Sequence, residues 1–138
     1  MTAAQPQERS AVHYPAATLK RAERAVRCAP FLFPLFATMR WQGVSVKAIA
    51  TTAGVANQYT CRPLSEVTAE NELLWLTQVG LLRREVDGQG LTDSFRLTPL
   101  GRQFVAEWET NGFPDRPSLW DYLVNLTTRW LRLPDWLL

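Results

Sequence analysis

Residues 81–104, LLRREVDGQGLTDSFRLTPLGRQF, constrain the fold of this chain more than any other segment. SFRLT (94–98) alternates, with Phe95 and Leu97 directed inward and Ser94, Arg96 and Thr98 outward, the period of a half-buried strand. LLRREV (81–86) alternates well enough to be its partner, and DGQGLTD between them is a turn-rich loop. Thr98-Pro99 then opens a helix: threonine supplies a cap, and proline is tolerated at the first helical position because its missing N–H has no intrahelical use there. Leu100, Phe104, Val105 and Trp108 give that helix its buried face, and Asn111-Gly112 stops it. A hairpin that runs straight into a capped helix leaves few architectures.

Upstream, four helical segments precede the hairpin. Thr18 is a candidate N-cap for LKRAERAVRCA, whose Leu19, Ala22 and Val26 form an apolar stripe and whose Lys20, Arg24 and Arg27 form a basic one, with Arg21 beside it. Over residues 18–40, five basic residues (Lys20, Arg21, Arg24, Arg27, Arg40) face one acid, Glu23, a net +4. FPLFATMRW follows as a buried helix with Pro34 near its first turn, ended by Gln42-Gly43. SVKAIATTAG (45–54) reads as one helix capped by Ser45, with Val46, Ile49, Ala50 and Ala53 inside and Gly54 as its stop. VANQYTCRPLSEV is a connector. TAENELLWLTQVG (68–80) is the next helix, with Thr68 as cap, Ala69, Leu73, Leu76 and Gly80 facing the core, and Thr68, Asn71, Trp75 and Gln78 roughly opposite. A tryptophan in that place is better suited to packing under another helix than to stacking on bases.

The order helix, helix, helix, strand, loop, strand, helix predicts a mainly α fold with a small β-hairpin wing, a winged helix-turn-helix with an extra helix at each end. The expected parts are an N-terminal arm (1–17), a winged-helix domain with a basic first helix (18–112) and a C-terminal helix (113–138). In such a domain the third core helix enters the major groove of DNA and the wing reaches the backbone or the minor groove.

PLSEVTAENELLWLTQVGLL (63–82) followed by FRLTPLGRQF (95–104) resembles the PadR-like winged-helix regulators. Leu64, Ser65, Thr68, Leu73, Leu76, Gly80, Leu81, Leu82, Phe95, Leu97, Thr98 and Gly101 occupy the places of that pattern. The resemblance covers about half the chain and consists largely of core and cap residues, so it bears on fold more than on function. It implies a dimeric repressor that binds double-stranded promoter DNA; the whole chain, with its basic first helix and tryptophan-rich tail, resembles one branch of that family most, and that resemblance implies a circadian clock gene as the target. Two departures stand out: Glu70 replaces a usual tyrosine, and Glu72 lies close by, both near the expected path of the DNA.

Charge alone does not announce a nucleic-acid binder, since the 138 residues carry a formal net charge of only +2. The site therefore has to be argued residue by residue. Arg96, outward between two anchored residues, is the leading DNA contact, because a planar guanidinium suits both phosphates and a narrow minor groove. Arg83 and Arg84 open the wing. Asn71 and Thr68 lie on the outer side of the recognition helix, where asparagine can bond adenine with two hydrogen bonds. Lys47 lies within reach of a phosphate. In the tail, SLWDYLVNLTTRWLRLPDWLL, Leu119, Tyr122, Leu123, Leu126 and Trp130 form an apolar stripe that calls for a cover, its own core or a second copy, with a homodimer interface favoured.

Other classes find less support. The chain has one histidine, His13, in the arm, and two distant cysteines, Cys28 and Cys61, with no metal-ligand spacing. No phosphate loop, nucleophile elbow or tuned carboxylate pair is visible, so neither an enzyme nor a cofactor is expected, and no small-molecule effector is evident. FLFPLFA is too short to span a membrane, and a cytoplasmic protein is expected. The competing reading is a winged-helix module that docks a partner protein through the tail without touching DNA.

Overall fold

A computed structural model describes residues 13–114 and 119–131, with the side chains of 119–122, 130 and 131 excepted. The fold is the expected one: helices around a small three-stranded antiparallel sheet of order β1-β3-β2. Helix α1 (Ala16–Cys28) begins two residues before Thr18. Pro15 precedes it in extended conformation, and its carbonyl already accepts from Leu19 N at 3.1 Å, so the first turn closes without a side-chain cap. Helix α2 (Phe33–Met39) carries Pro34 in its first turn, as expected.

The next segment differs from expectation. Val44–Ser45 forms a short strand, β1, pairing Val44 with Phe95 and Ser45 with Ser94. Ser45 then caps α3 (Val46–Ile49), its hydroxyl accepting from Ala48 N at 3.2 Å. The single helix expected over 45–54 breaks at Ala50, which is extended, and resumes as α4 (Thr51–Ala56). Thr51 takes a left-handed φ of +57° and donates its N–H to Leu64 O at 2.6 Å. Gly54 is no stop. It is buried inside α4, and a Cβ there would lie 1.9 Å from Ile49 O, so its missing side chain lets α4 fold back on α3.

Helix α5 (Glu66–Gln78) starts two residues earlier than expected because Ser65, not Thr68, is the cap. Ser65 Oγ accepts from Thr68 N at 3.1 Å and its hydroxyl lies 3.0 Å from that of Thr68. Ala69, Leu73 and Leu76 are fully buried, and Gly80, at φ +92°, turns the chain out of the helix while Leu81 N bonds Leu76 O at 2.9 Å.

The hairpin pairs β2 (Leu82–Asp87) with β3 (Gly90–Leu97). The expected seven-residue loop is mostly strand: Asp87 pairs with Gly90, and Asp87 Oδ1 accepts from Gln89 N at 2.7 Å. Pairing of Arg84 with Phe95 and of Val86 with Leu91 leaves Glu85 alone opposite Thr92–Ser94, a bulge held by Thr92 Oγ1 donating to Glu85 O at 3.1 Å. Such a bulge bends the outer half of the wing relative to its base.

Helix α6 (Pro99–Asn111) has the expected boundaries, with Thr98 Oγ1 accepting from Gly101 N and Gly112 at φ +93° ending it. Its Phe104 and Trp108 join Phe33, Phe36 and Phe113 in an aromatic cluster, with Trp108 edge-on to Phe36 and Phe113 at 5.6 and 5.0 Å between ring centres. Edge-to-face rings contribute beyond the area they bury. Phe36, Phe95, Leu35, Met39, Ile49, Leu73 and Leu76 complete the core that fixes the hairpin and α5 together. Helix α7 (Leu119–Leu131) packs across α1. Among the described residues, no helix is long and apolar enough to cross a membrane, and no group of three or more His, Cys, Asp or Glu gathers as a metal site. Cys61 is an exposed thiol. Of the arm expected over 1–17, residues 1–12 lie outside the described residues, whereas Ala16 and Ala17 are already helical.

Candidate nucleic-acid interface

Helix α5 has four flanks, each with a different fate. Ala69, Leu73 and Leu76 enter the core. Glu70 faces the wing, where Arg84 Nη2 lies 3.0 Å from its Oε2. Glu72 and Trp75 face α7. Val67, Asn71, Leu74 and Gln78, spaced i, i+4, i+7 and i+11 along one stripe, remain at the surface.

The flank under α7 is where sequence reasoning placed Trp75 outside. It is buried, 7% exposed, and its indole N–H donates to Asn125 Oδ1 at 3.0 Å. The expectation that another helix would cover this tryptophan holds, and α7 is that helix. Arg129 also reaches α5: Nη1 lies 3.1 Å from Glu72 Oε1, Nη2 donates to Asn71 O at 3.2 Å, and the guanidinium sits 5.9 Å from the Trp75 ring centre. A signal for this existed. Asn125 and Arg129 are four apart on a largely apolar helix, and Glu72 and Trp75 are three apart on α5, so each pair shares a face.

The two acids that flank Asn71 are therefore both compensated, Glu70 by the wing and Glu72 by α7. A carboxylate paired at 3 Å presents little net charge a few ångströms away. The outer stripe is uncharged, with Val67 69% and Leu74 37% exposed. Asn71 is exposed, and its side-chain amide makes no hydrogen bond among the described residues. Thr68 is also exposed, its hydroxyl tied to the Ser65 cap.

The wing arginines divide. Arg84 faces α5, with its guanidinium 4.9 Å from the centre of the Phe95 ring and its charge on Glu70. Arg83 and Arg96 are cross-strand partners and share the opposite face. Like charges directly opposite repel, and the pair is eased by Glu85, whose Oε2 lies 3.5 Å from Arg96 Nη1. Arg96 is not the free outward arginine that alternation implied: its Nη2 also donates to Trp41 O at 3.0 Å, and its Nε is shielded without a partner. Arg83 is exposed and has no ion-pair partner among the described residues. Lys47 is exposed in the single turn of α3. The fold thus brings Thr68 and Asn71 together on α5 and Arg83 and Arg96 together on the wing, with Arg84 serving as the strut between them.

Of the expected dimer residues, Leu123 and Leu126 are 47% and 40% exposed, while the side chains of Leu119, Tyr122 and Trp130 lie outside the described residues. Helix α7 thus sets Asn125 and Arg129 against its own body and leaves two leucines in solvent. Further apolar exposure lies at Trp41 and at the wing-tip pair Val86 and Leu91.

Residues 12–129 match the model of the family described as Npun_F0494-like, a description that names no activity. No curated protein and no solved structure matches the chain.

Proposed function

The chain belongs to the Npun_F0494-like family, and we propose that it is a DNA-binding transcription regulator which sets the outer face of α5 in the major groove and steadies it with the wing. The observation that carries this reading is the uncovered stripe Val67, Asn71, Leu74 and Gln78, flanked by acids that Arg84 and Arg129 neutralise. Asn71 and Gln78 have the donor and acceptor pair that matches adenine, and Val67 and Leu74 suit thymine methyl groups. Arg83 supplies a phosphate contact from the wing, and Lys47 a second from α3. The protein acts as a homodimer through the outward leucines of α7, so that two half-sites are read together. It works in the cytoplasm, where occupancy of a promoter represses transcription; a clock gene is the target that the resemblance to PadR-like regulators implies.

The test is a binding titration on oligonucleotides selected from a random pool, repeated across salt concentrations. Affinity should fall linearly on logarithmic axes, because counterions released on binding must be recaptured. Arg83→Ala should leave the melting temperature unchanged and reduce that slope by about one. A slope near zero would sink the DNA reading. It would favour the second one, a protein-docking module, for which the wing-tip pair speaks: Val86 and Leu91 stand 66% and 71% exposed on facing strands.

A further inference from the structure

A cleft of about 310 Å³ opens between the start of α1, the end of α5 and the start of α6. Tyr14, Thr18 and Arg21 line one side, and Gln78, Val79, Gly80, Thr98 and Leu100 the other. Among the described residues, none that lines the cleft is acidic. Arg21 differs from five other half-buried arginines. Arg27, Arg40, Arg84, Arg96 and Arg129 each have a glutamate within 4 Å: Glu23, Glu109, Glu70, Glu85 and Glu72. Arg21 makes no such pair among the described residues; its Nε is shielded without a hydrogen bond, as are those of Arg40 and Arg96, so the missing carboxylate is what sets it apart.

We propose that this cleft is a binding site for a small organic monocarboxylate, held by Arg21. An arginine that lines a cleft with no carboxylate beside it keeps its charge available to an incoming anion. The edge of a guanidinium offers two parallel N–H donors, which match the two oxygens of a carboxylate. A single guanidinium balances one negative charge, and among the described residues no second cation lines the cleft to balance a phosphate dianion. The hydroxyls of Tyr14 and Thr18 and the amide of Gln78 are further donors. Val79, Leu100 and the Tyr14 ring offer an apolar wall for a short hydrocarbon body, and the volume is at the small end for a ligand site. The ligand would rest on the last turn of α5. This inference does not depend on DNA binding.

The experiment uses the full chain and amide chemical shifts, with acetate, butyrate, hexanoate and inorganic phosphate as probes at constant ionic strength. At least one carboxylate should shift the amides of Thr18, Arg21, Gln78, Val79, Gly80 and Leu100 to saturation. Arg21→Gln should weaken that binding at least tenfold and Arg21→Lys, which keeps the charge without the fork, several-fold. Arg102→Gln, at an exposed arginine on α6, should bind as the parent does. If Arg21→Gln fails to fold, Arg21→Lys decides alone. The proposal is overturned if no carboxylate saturates, if phosphate saturates and the carboxylates do not, if the shifts lie elsewhere, or if the Arg21 variants bind like the parent.

Discussion

At the scale of single residues, the burial of one side chain decides whether an arginine is part of the frame or part of the site. Arg96 and Arg83 face each other across the wing, yet only Arg96 is anchored, to Trp41 O and Glu85. Replacing Arg96 by Ala should therefore cost stability, about 1 kcal/mol for a charged hydrogen bond that is partly solvated. The melting temperature should drop by roughly 2–6 °C in a domain of this size. An unchanged melting temperature would show that the Trp41 contact is not maintained in solution and would return Arg96 to the role that strand alternation suggested. Asn71 is the opposite case, exposed with its amide unengaged. Asn71→Ala should leave stability within about 0.5 kcal/mol of the parent and relax preference at one base pair by roughly 1–3 kcal/mol. Competition among operator variants measures this, and an unaltered ranking would remove Asn71 from the interface.

At the scale of elements, the joint between α3 and α4 positions α5, since Thr51 N bonds Leu64 O just before the Ser65 cap. That joint exists because Gly54 has no side chain to meet Ile49 O. Gly54→Ala must push two helices apart against backbone rather than against a flexible side chain. The expected cost is at the upper end of the roughly 1–3 kcal/mol typical of overpacking, read as a lowered denaturation midpoint with unchanged slope. Were Gly54 merely a helix stop, alanine would be nearly neutral. Helix α7 shows a second principle at this scale. Its polar residues Asn125 and Arg129 hold it to α5, whereas Leu123 and Leu126 on the same helix are exposed.

At the scale of the whole molecule, the exposure of Leu123 and Leu126 bears on assembly. Two helices that each present leucines outward can bury them against one another in a symmetric pair. The double variant Leu123→Ser, Leu126→Ser should convert a particle of twice 15.7 kDa into one of 15.7 kDa in light scattering, with the fold retained because the inward contacts are untouched. DNA affinity should fall with it, since each half-site would then be bound without its linkage to the other. A parent chain that sediments as a monomer at micromolar concentration would exclude this assembly.

The sequence by itself determined whatever depends on neighbours along the chain. Thr98-Pro99 as a helix start, Asn111-Gly112 as its stop, Phe95 and Leu97 inward, and Ala69, Leu73 and Leu76 in the core all follow from caps, forbidden φ values and side-chain period, which operate within a few residues. Even the winged order of elements is local information strung together. Tertiary structure decided the rest. Thr68 looks as good a cap as Ser65, and the choice between them depends on where Leu64 must be buried. The strand at Val44 needs β3 to pair with, about fifty residues away, and the break at Ala50 needs Leu64 O to receive Thr51 N. Trp75 lies on the polar side of its own helix by period, and it is interior because α7 covers it. Arg96 alternates outward and is nonetheless tied down by a carbonyl of Trp41. In each case a group's environment comes from a distant segment, and periodicity carries no information about which segment arrives. The same reason separates the candidate site into what was legible, Asn71 and Arg83 at the surface, and what was not: the two ion pairs that neutralise Glu70 and Glu72 exist only once the wing and α7 have closed on α5.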